Sequence, residues 1–342
     1  VDKVLLLAKD KIAGWLDKML ATYQVYAPVE QDGCITFRPV SAGDQAVLDY
    51  GNSRVPPKEV LFPRSEKLYC YRCESGGVEL AEQIDEKKKV IVGIRPCDAK
   101  SFLLLDNVFG GDKYKDPYYL TRRENTVLVG LGCNRPAATC FCTSLGGGPF
   151  STEGLDLLLV DTGDQYVVEV LTEKGKGLLS GTDLPAADEK AQEDARAVKE
   201  EARLSSRVEL EGLKPRLDVN FYDSIWDLIH ERCLGCAACT YSCPTCHCFD
   251  IVDEANGYDG CRVRNWDACM FPLFTLHGSG HNPRPSGKER FRQRIMHKFK
   301  YFVDNYGAVA CVGCGRCILN CPANIDVRQV IADIQKSGGE KE

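Results

Sequence analysis

Two stretches of the chain repeat one cysteine spacing. Cys233-Leu-Gly-Cys236-Ala-Ala-Cys239-Thr-Tyr-Ser-Cys243-Pro244 is matched by Cys311-Val-Gly-Cys314-Gly-Arg-Cys317-Ile-Leu-Asn-Cys321-Pro322. Three thiolates spaced by two residues wrap one face of a cuboidal [4Fe–4S] cluster, and the fourth, three residues on and followed by Pro, reaches a second cluster. This crossing predicts one cluster on Cys233, Cys236, Cys239 and Cys321, and another on Cys311, Cys314, Cys317 and Cys243. The small residues Gly235, Ala237, Ala238, Gly313 and Gly315 let the backbone approach the sulfides. Zinc also uses pairs of cysteines two residues apart, but it takes two pairs per ion rather than runs of four ending in Pro. Thiolate-saturated irons conduct electrons and leave no open position for catalysis, so no catalytic residue is expected.

Other cysteines are less regular. Cys97, in Ile94-Arg95-Pro96-Cys97-Asp98, leaves the end of one predicted strand. Cys133 leaves the end of the next, with Cys140 and Cys142 in the same loop. If the two strands are parallel, all four thiols emerge at the carboxyl edge of the sheet, where open α/β sheets place ligands. A third cluster there competes with separately buried thiols or a reactive pair. Cys246, Cys248 and Cys269 lie in the 67 residues between Cys243 and Cys311 and admit a fourth cluster, or simple burial as small apolar groups. His247 is tempting as a ligand, although a loop histidine is more often a hydrogen-bonding residue. Gly146-Gly-Gly-Pro149 lacks the spacing of a phosphate loop and reads as a turn. Cys34, Cys70, Cys73 and Cys261 acquire no role.

The composition frames these motifs. The chain has 342 residues, 19 cysteines and a net charge of −6. Disulfides belong to oxidising compartments and to domains short of core, and the start of the sequence shows no export signal. The cysteines therefore read as metal ligands in a cytoplasmic protein. The acidic balance argues against nucleic acid, and the apolar runs are too short to span a bilayer.

The elements that must position the thiols are legible in outline. Residues 1–172 read as an α/β domain. It opens with an amphipathic helix over residues 1–20, continues with strands at 23–29 and 34–40, and holds a strand–helix–strand unit over 89–131. A hairpin follows at 155–171. Residues 173–216 read as a linker whose charge-rich run, 188–203, predicts an exposed helix bridging two domains. Residues 217–342 read as a mainly helical ferredoxin-type domain with a long insertion between the cluster motifs and no strong strand pattern. In that insertion, residues 284–300 carry seven Lys or Arg against Glu289 alone. Such a run could dock an acidic partner, offset cluster charge or simply face solvent.

Several motifs occur together: Arg95-Pro-Cys-Asp98, Thr139-Cys-Phe-Cys-Thr-Ser144, Cys243-Pro-Thr-Cys-His-Cys-Phe-Asp250, Trp266-Asp-Ala-Cys269 and Gly280-His-Asn-Pro-Arg284. In these the sequence resembles the 4Fe–4S dicluster family. That family includes beta subunits of sulfhydrogenase-type [NiFe] hydrogenases, an iron–sulfur component of anaerobic sulfite reductase, and components of heterodisulfide-reductase-type complexes. The resemblance spans roughly residues 90–335. It implies an electron-transfer subunit that relays single electrons between a flavoprotein handling NAD(P)H or ferredoxin and a catalytic subunit. It also favours the third cluster, with Cys97, Cys133, Cys140 and Cys142 as the matching positions. The competing expectation is an enzyme in its own right, reducing a disulfide or sulfur compound at a non-ferredoxin cluster or at a pair such as Cys140 and Cys142. The charged linker run, Cys70 and Cys73 match nothing in the family pattern.

Overall fold

The computed structural model describes residues 3–337. Its strands are β1 (Lys3–Ala8), β2 (Gln24–Gln31), β3 (Cys34–Pro39), β4 (Ser65–Glu74), β5 (Gly77–Glu82), β6 (Lys89–Ile94), β7 (Thr126–Leu131), β8 (Leu157–Asp161), β9 (Gln165–Val170), β10 (Phe249–Asn256) and β11 (Asp259–Trp266). Seven form one sheet in the order β1-β9-β8-β7-β6-β2-β3. Its centre is parallel, through the pairs β2–β6, β6–β7 and β7–β8, and its margins are antiparallel. Every residue of β6 and β7 is buried. This is why their sequences read as unbroken apolar runs rather than alternating ones. The helix Pro96–Phe109 carries the chain from β6 across the sheet, and a second helix, Pro117–Glu124, leads into β7. Ile94 pairs with Gly130, so the loops that leave β6 and β7 emerge side by side.

Two expectations from sequence need correction here. The described residues of the first segment begin with β1, paired to β9, and only Ile12–Leu20 is α-helical. Leu5 and Leu7 enter the core on one face of the sheet while Val4 and Leu6 pack against the core on the other. A strand covered on both faces produces the same apolar run as a helix start, so periodicity could not separate the two. The charged helix, Glu189–Glu201, does not stand free. Ala191 and Ala195, one turn apart, are buried against the sheet, and Lys199 pairs with Glu169 of β9 at 2.6 Å. Alanines make a narrow contact stripe that a charge-rich composition hides.

A four-stranded antiparallel sheet, β10-β11-β4-β5, departs from the expectation that the insertion carries no strong strand pattern. Its register places Cys261 directly opposite Cys70, and the two form a disulfide. The expectation that the cysteines bind metal rather than pair therefore fails for these two. Trp266 anchors the base of β11. Its Nε1–H donates to the Phe62 carbonyl at 3.0 Å, and its ring stacks on Phe62. Arg264 is buried against Glu66 and Asp116, and Arg122 also reaches Glu66, which ties this sheet to the helix Pro117–Glu124.

The remaining core is helical. Helices Leu213–Val219, Ile225–His230, Gly287–Met296 and Val327–Lys336 pack around Trp226, Phe291, Ile295 and Ile331. The helix begun at Gly287 runs on through a π-helical turn, His297–Tyr301, into Phe302–Tyr306. Such a turn shifts the side-chain register at the point where the helix passes the cysteines. No helix among the described residues is long and apolar enough to cross a membrane.

Candidate functional site

The two cysteine runs fold alike. In each, the backbone turns left-handed inside the run, at Gly235 and Ala237 in the first and at Gly313 and Gly315 in the second. A short helix follows, Ala238–Tyr241 or Arg316–Leu319. The turns aim backbone N–H groups at sulfur: Gly235 donates to Cys233 Sγ and Gly313 to Cys311 Sγ, both at 3.5 Å, and Ile325 donates to Cys321 Sγ at 3.3 Å. Hydrogen bonds of this kind favour the thiolate over the thiol.

The fourth cysteine of each run faces the other run. Cys233, Cys236, Cys239 and Cys321 line one cavity, walled by Met270, Phe291 and Ile295. Cys311, Cys314 and Cys317 all lie within electrostatic reach of Cys243. Cys317 also lines the first cavity, so the two sets adjoin.

A third set lies at the carboxyl edge of the sheet. Cys97 sits in the first turn of the helix after β6, Cys133 follows β7, and Cys140 and Cys142 close the same loop. All four line one cavity, with Gly148 and Pro149 of the glycine turn as part of its wall and Cys314 of the second run as a fifth sulfur. The contact with that run is backbone to backbone. Phe141 N–H donates to the Gly313 carbonyl at 2.8 Å, and a Cβ on Gly313 would come within 2.6 Å of the Cys142 nitrogen. Glycine at φ +64 is thus required twice, for its dihedral and for the close approach.

Buried positive charge accompanies every set. Lys298 Nζ donates to Cys243 Sγ at 3.2 Å and to the Ala310 carbonyl at 3.0 Å. One turn back, Arg294 reaches the Cys239 carbonyl at 2.9 Å and Cys246 Sγ at 3.5 Å. Lys58 Nζ donates to the Cys246 carbonyl at 2.6 Å. Arg95, at the third set, donates to the carbonyls of Leu131, Gly132 and Tyr50 and lies 4.2 Å above the Tyr50 ring. None of these four is more than 6% exposed, and among the described residues none forms an ion pair with a carboxylate. A buried cation without a counter-anion is strongly unfavourable. Lys298 and Arg294 reach sulfur directly, whereas Lys58 and Arg95 bond carbonyls and have Cys246 and Cys133 within electrostatic reach. Burial pushes the free Cys142 and Cys314 thiols up to about 12. The hydrogen bond from Cys246, with Lys298 and Arg294 alongside, holds the Cys243 thiol well below its ordinary range. Four cations placed against thiols fit an anionic thiolate-bound group, and the donor sets fit the softness of iron–sulfur centres.

One ion pair joins the second run to the sheet edge. Arg316 meets Asp98 with two parallel bonds of 2.6 and 2.7 Å, and both side chains are 1% exposed. The guanidinium also reaches the Ser53 carbonyl and the Asn52 side chain, so its donors are satisfied. Sequence reasoning missed the roles of this pair, of Lys58 and of Arg95. Arg95 and Asp98 flank Cys97 and Arg316 sits between Cys314 and Cys317, but only the fold brings Arg316 to Asp98. Lys58 stands in a Pro-Pro-Lys turn that carries no signal.

The basic run at 284–300 divides by face. Arg294 and Lys298 point inward at sulfur, whereas Lys288 and Lys300 pair with Asp227 and Asp218 at the surface. His247 packs against the rings of His297, Phe109 and Phe302, and burial pushes its imidazole down to about 4. Its Nδ1–H donates to the Thr245 carbonyl at 3.0 Å. Cys34 and Cys73 lie on strands and join none of the sets.

The family described as a 4Fe-4S dicluster domain matches residues 232–325, a span that contains both runs. Along nearly the whole chain, the sequence is 34% identical to sulfhydrogenase 2 subunit beta of Pyrococcus furiosus, over 320 residues that cover 92% of each protein. No solved structure matches. With this identity over this length, and with an iron–sulfur dicluster domain at its carboxyl end, the chain belongs to the family of sulfhydrogenase beta subunits.

Proposed function

We propose that the chain is a one-electron relay between two protein partners in a multi-subunit redox complex, one a flavoprotein and the other a catalytic subunit. Cys233, Cys236, Cys239 and Cys321 would hold one [4Fe–4S] cluster, Cys311, Cys314, Cys317 and Cys243 a second, and Cys97, Cys133, Cys140 and Cys142 a third. Bound clusters supply reversible one-electron transfer. The chain's own residues hold them in sequence and balance their charge. The observation that carries the reading is contiguity: Cys317 lines the cavity of the first set and Cys314 that of the third. The second run thus touches both neighbours, and a path runs from the helical end of the molecule to the edge of the sheet.

Arg316 and Asp98 hold the second and third sets in one register, because the arginine belongs to the second run and the aspartate follows Cys97 by one residue. Arg294 and Lys298, on one helix face, counter the charge of the first two sets. The test is to purify the tagged full chain anaerobically with its native partners, as wild type and as Cys314→Ser. The expected result is an assembled complex in both cases, with electron transfer from NAD(P)H to hydrogenase-type or viologen acceptors lost in the variant. Undiminished transfer would overturn the relay. Cys97→Ser with Cys142→Ser tests the third set separately, by loss of about four irons per chain with both ferredoxin signals retained; an unchanged iron content refutes that set.

A further inference from the structure

Three neighbouring thiols remain outside the sets above, Cys246 and Cys269 buried and Cys248 half-buried. Cys246 and Cys248 follow the first run, and Cys269 follows β11. The β10–β11 hairpin brings them together. Phe249 pairs with Trp266 at its base, and Asp267 N–H donates to the Cys248 carbonyl at 3.0 Å, so the chain leaves and returns at one point. The Cys248 and Cys269 side chains hydrogen-bond each other, Cys246 hydrogen-bonds Cys243, and Cys246 lies within electrostatic reach of Cys269. Cys246 and Cys269 are each 8% exposed.

Buried positive charge also faces this trio. Lys298 is committed to Cys243, Thr245 and Ala310. Arg294 is shared between the Cys239 carbonyl and Cys246 Sγ, while Lys58 Nζ donates to the Cys246 carbonyl and lies 4.1 Å from the centre of the Trp266 ring. Lys58 is 2% exposed, and its setting is made by residues on either side of the trio. Lys58, a buried cation with no carboxylate partner among the described residues, together with the branch of Arg294 that reaches Cys246 Sγ, points to an anion held at these thiols. Spare cysteines buried as apolar groups would need no such cations.

We infer that Cys246, Cys248 and Cys269 hold an additional cuboidal iron–sulfur cluster by three thiolates, next to the one that takes Cys243. Its fourth corner carries no cysteine. Cys70 and Cys261 are bonded to each other, and Cys73 sits at the far end of the same sheet, where its N–H meets the Tyr258 carbonyl at the hairpin tip. Cys34 lies on the other sheet. The inference goes beyond the relay, which needs only the thiolate-saturated sets. It places a branch at the second run and gives the chain one iron position open to a small exogenous ligand.

The two kinds of site differ in the oxidised state. Thiolate-saturated [4Fe–4S] clusters are diamagnetic when oxidised, whereas a three-thiolate cluster loses its uncoordinated iron on mild oxidation and leaves a paramagnetic three-iron core. The test is EPR of the full chain, purified anaerobically and then oxidised with ferricyanide, with iron counted in parallel. The wild type is expected to show the three-iron signal. Cys248→Ser with Cys269→Ser is expected to abolish it, removing about three to four irons per chain and leaving the reduced-state ferredoxin signals intact. An EPR-silent oxidised wild type, an unchanged iron content in the variant, zinc at the trio, or a Cys248–Cys269 disulfide in alkylated peptides would each overturn the inference. If the double variant fails to fold, the oxidised wild type decides alone. Absence of the reduced ferredoxin signals in wild type would refute the relay instead, so the two failures are distinguishable.

Discussion

Lys298 shows how single residues in this chain serve sulfur chemistry. Its ammonium is buried, bonded to Cys243 Sγ, and held in its charged form because the thiolates facing it outweigh the loss of solvent. Adding an electron to a cluster held at Cys243 would add negative charge, which this ammonium would favour. Lys298→Met should therefore lower the midpoint potential of the cluster that takes Cys243, on the order of 60 mV, a tenfold change for a one-electron couple. A potentiometric titration followed by EPR measures it, and an unmoved potential would deny Lys298 this role. His297, beside it, makes a pH prediction. Burial, reinforced by His247 and nearby cations, pushes its imidazole down to about 3. The unfolded chain takes up the proton near its ordinary 6.5, while the folded chain refuses it until far lower. Stability from this group is complete above 6.5 and declines as pH falls toward about 3. The urea midpoint should drop more for wild type than for His297→Phe between about pH 7 and about pH 5; parallel curves would contradict it.

At the scale of elements, the junction between the second run and the sheet edge matters most. Arg316→Ala leaves Asp98 as an unpaired buried charge, so a loss of about 3–5 kcal/mol of stability is expected in urea unfolding. Arg316→Lys should recover little of it, because an ammonium cannot make the two parallel bonds. A loss under about 1 kcal/mol would place the pair among interactions of surface strength. Gly313→Ala must push its Cβ into Phe141 and Cys142, so the iron content of two sets should fall together rather than one at a time; loss from the second set alone would argue against their direct packing. These junctions explain what the sequence could and could not disclose. The parallel strands β6 and β7 were legible because both faces are apolar, and the two cysteine runs because their spacing is local. The insertion hairpin is not legible in the sequence because all of β10 is exposed and the strand that completes its sheet, β4 with Cys70, lies nearly two hundred residues earlier. The helix at residues 189–201 was legible as a helix, but its docking through Ala191 and Ala195 was not.

At the scale of the whole molecule, the 19 cysteines divide by location. The eight of the two runs face each other within the helical part, four more line the sheet edge, three gather at the base of the hairpin, one pair joins β4 to β11, and Cys34 and Cys73 stand apart on β3 and β4. The sequence alone suggests an order for the first eight, because their spacing repeats. The four at the sheet edge come from separate loops and need the parallel register of β6 and β7 to meet. The cations that balance them are spread over residues 58, 95, 294 and 298, and no local pattern marks them as a group. The most direct test of the central claim is iron and acid-labile sulfide per chain, with EPR of the dithionite-reduced full-length protein purified anaerobically. Iron and sulfide are expected in equal amounts, about twelve of each from the three proposed relay sets and more with the hairpin site, with signals of neighbouring reduced clusters. Zinc in place of iron, with no labile sulfide and no EPR signal on reduction, would contradict the relay.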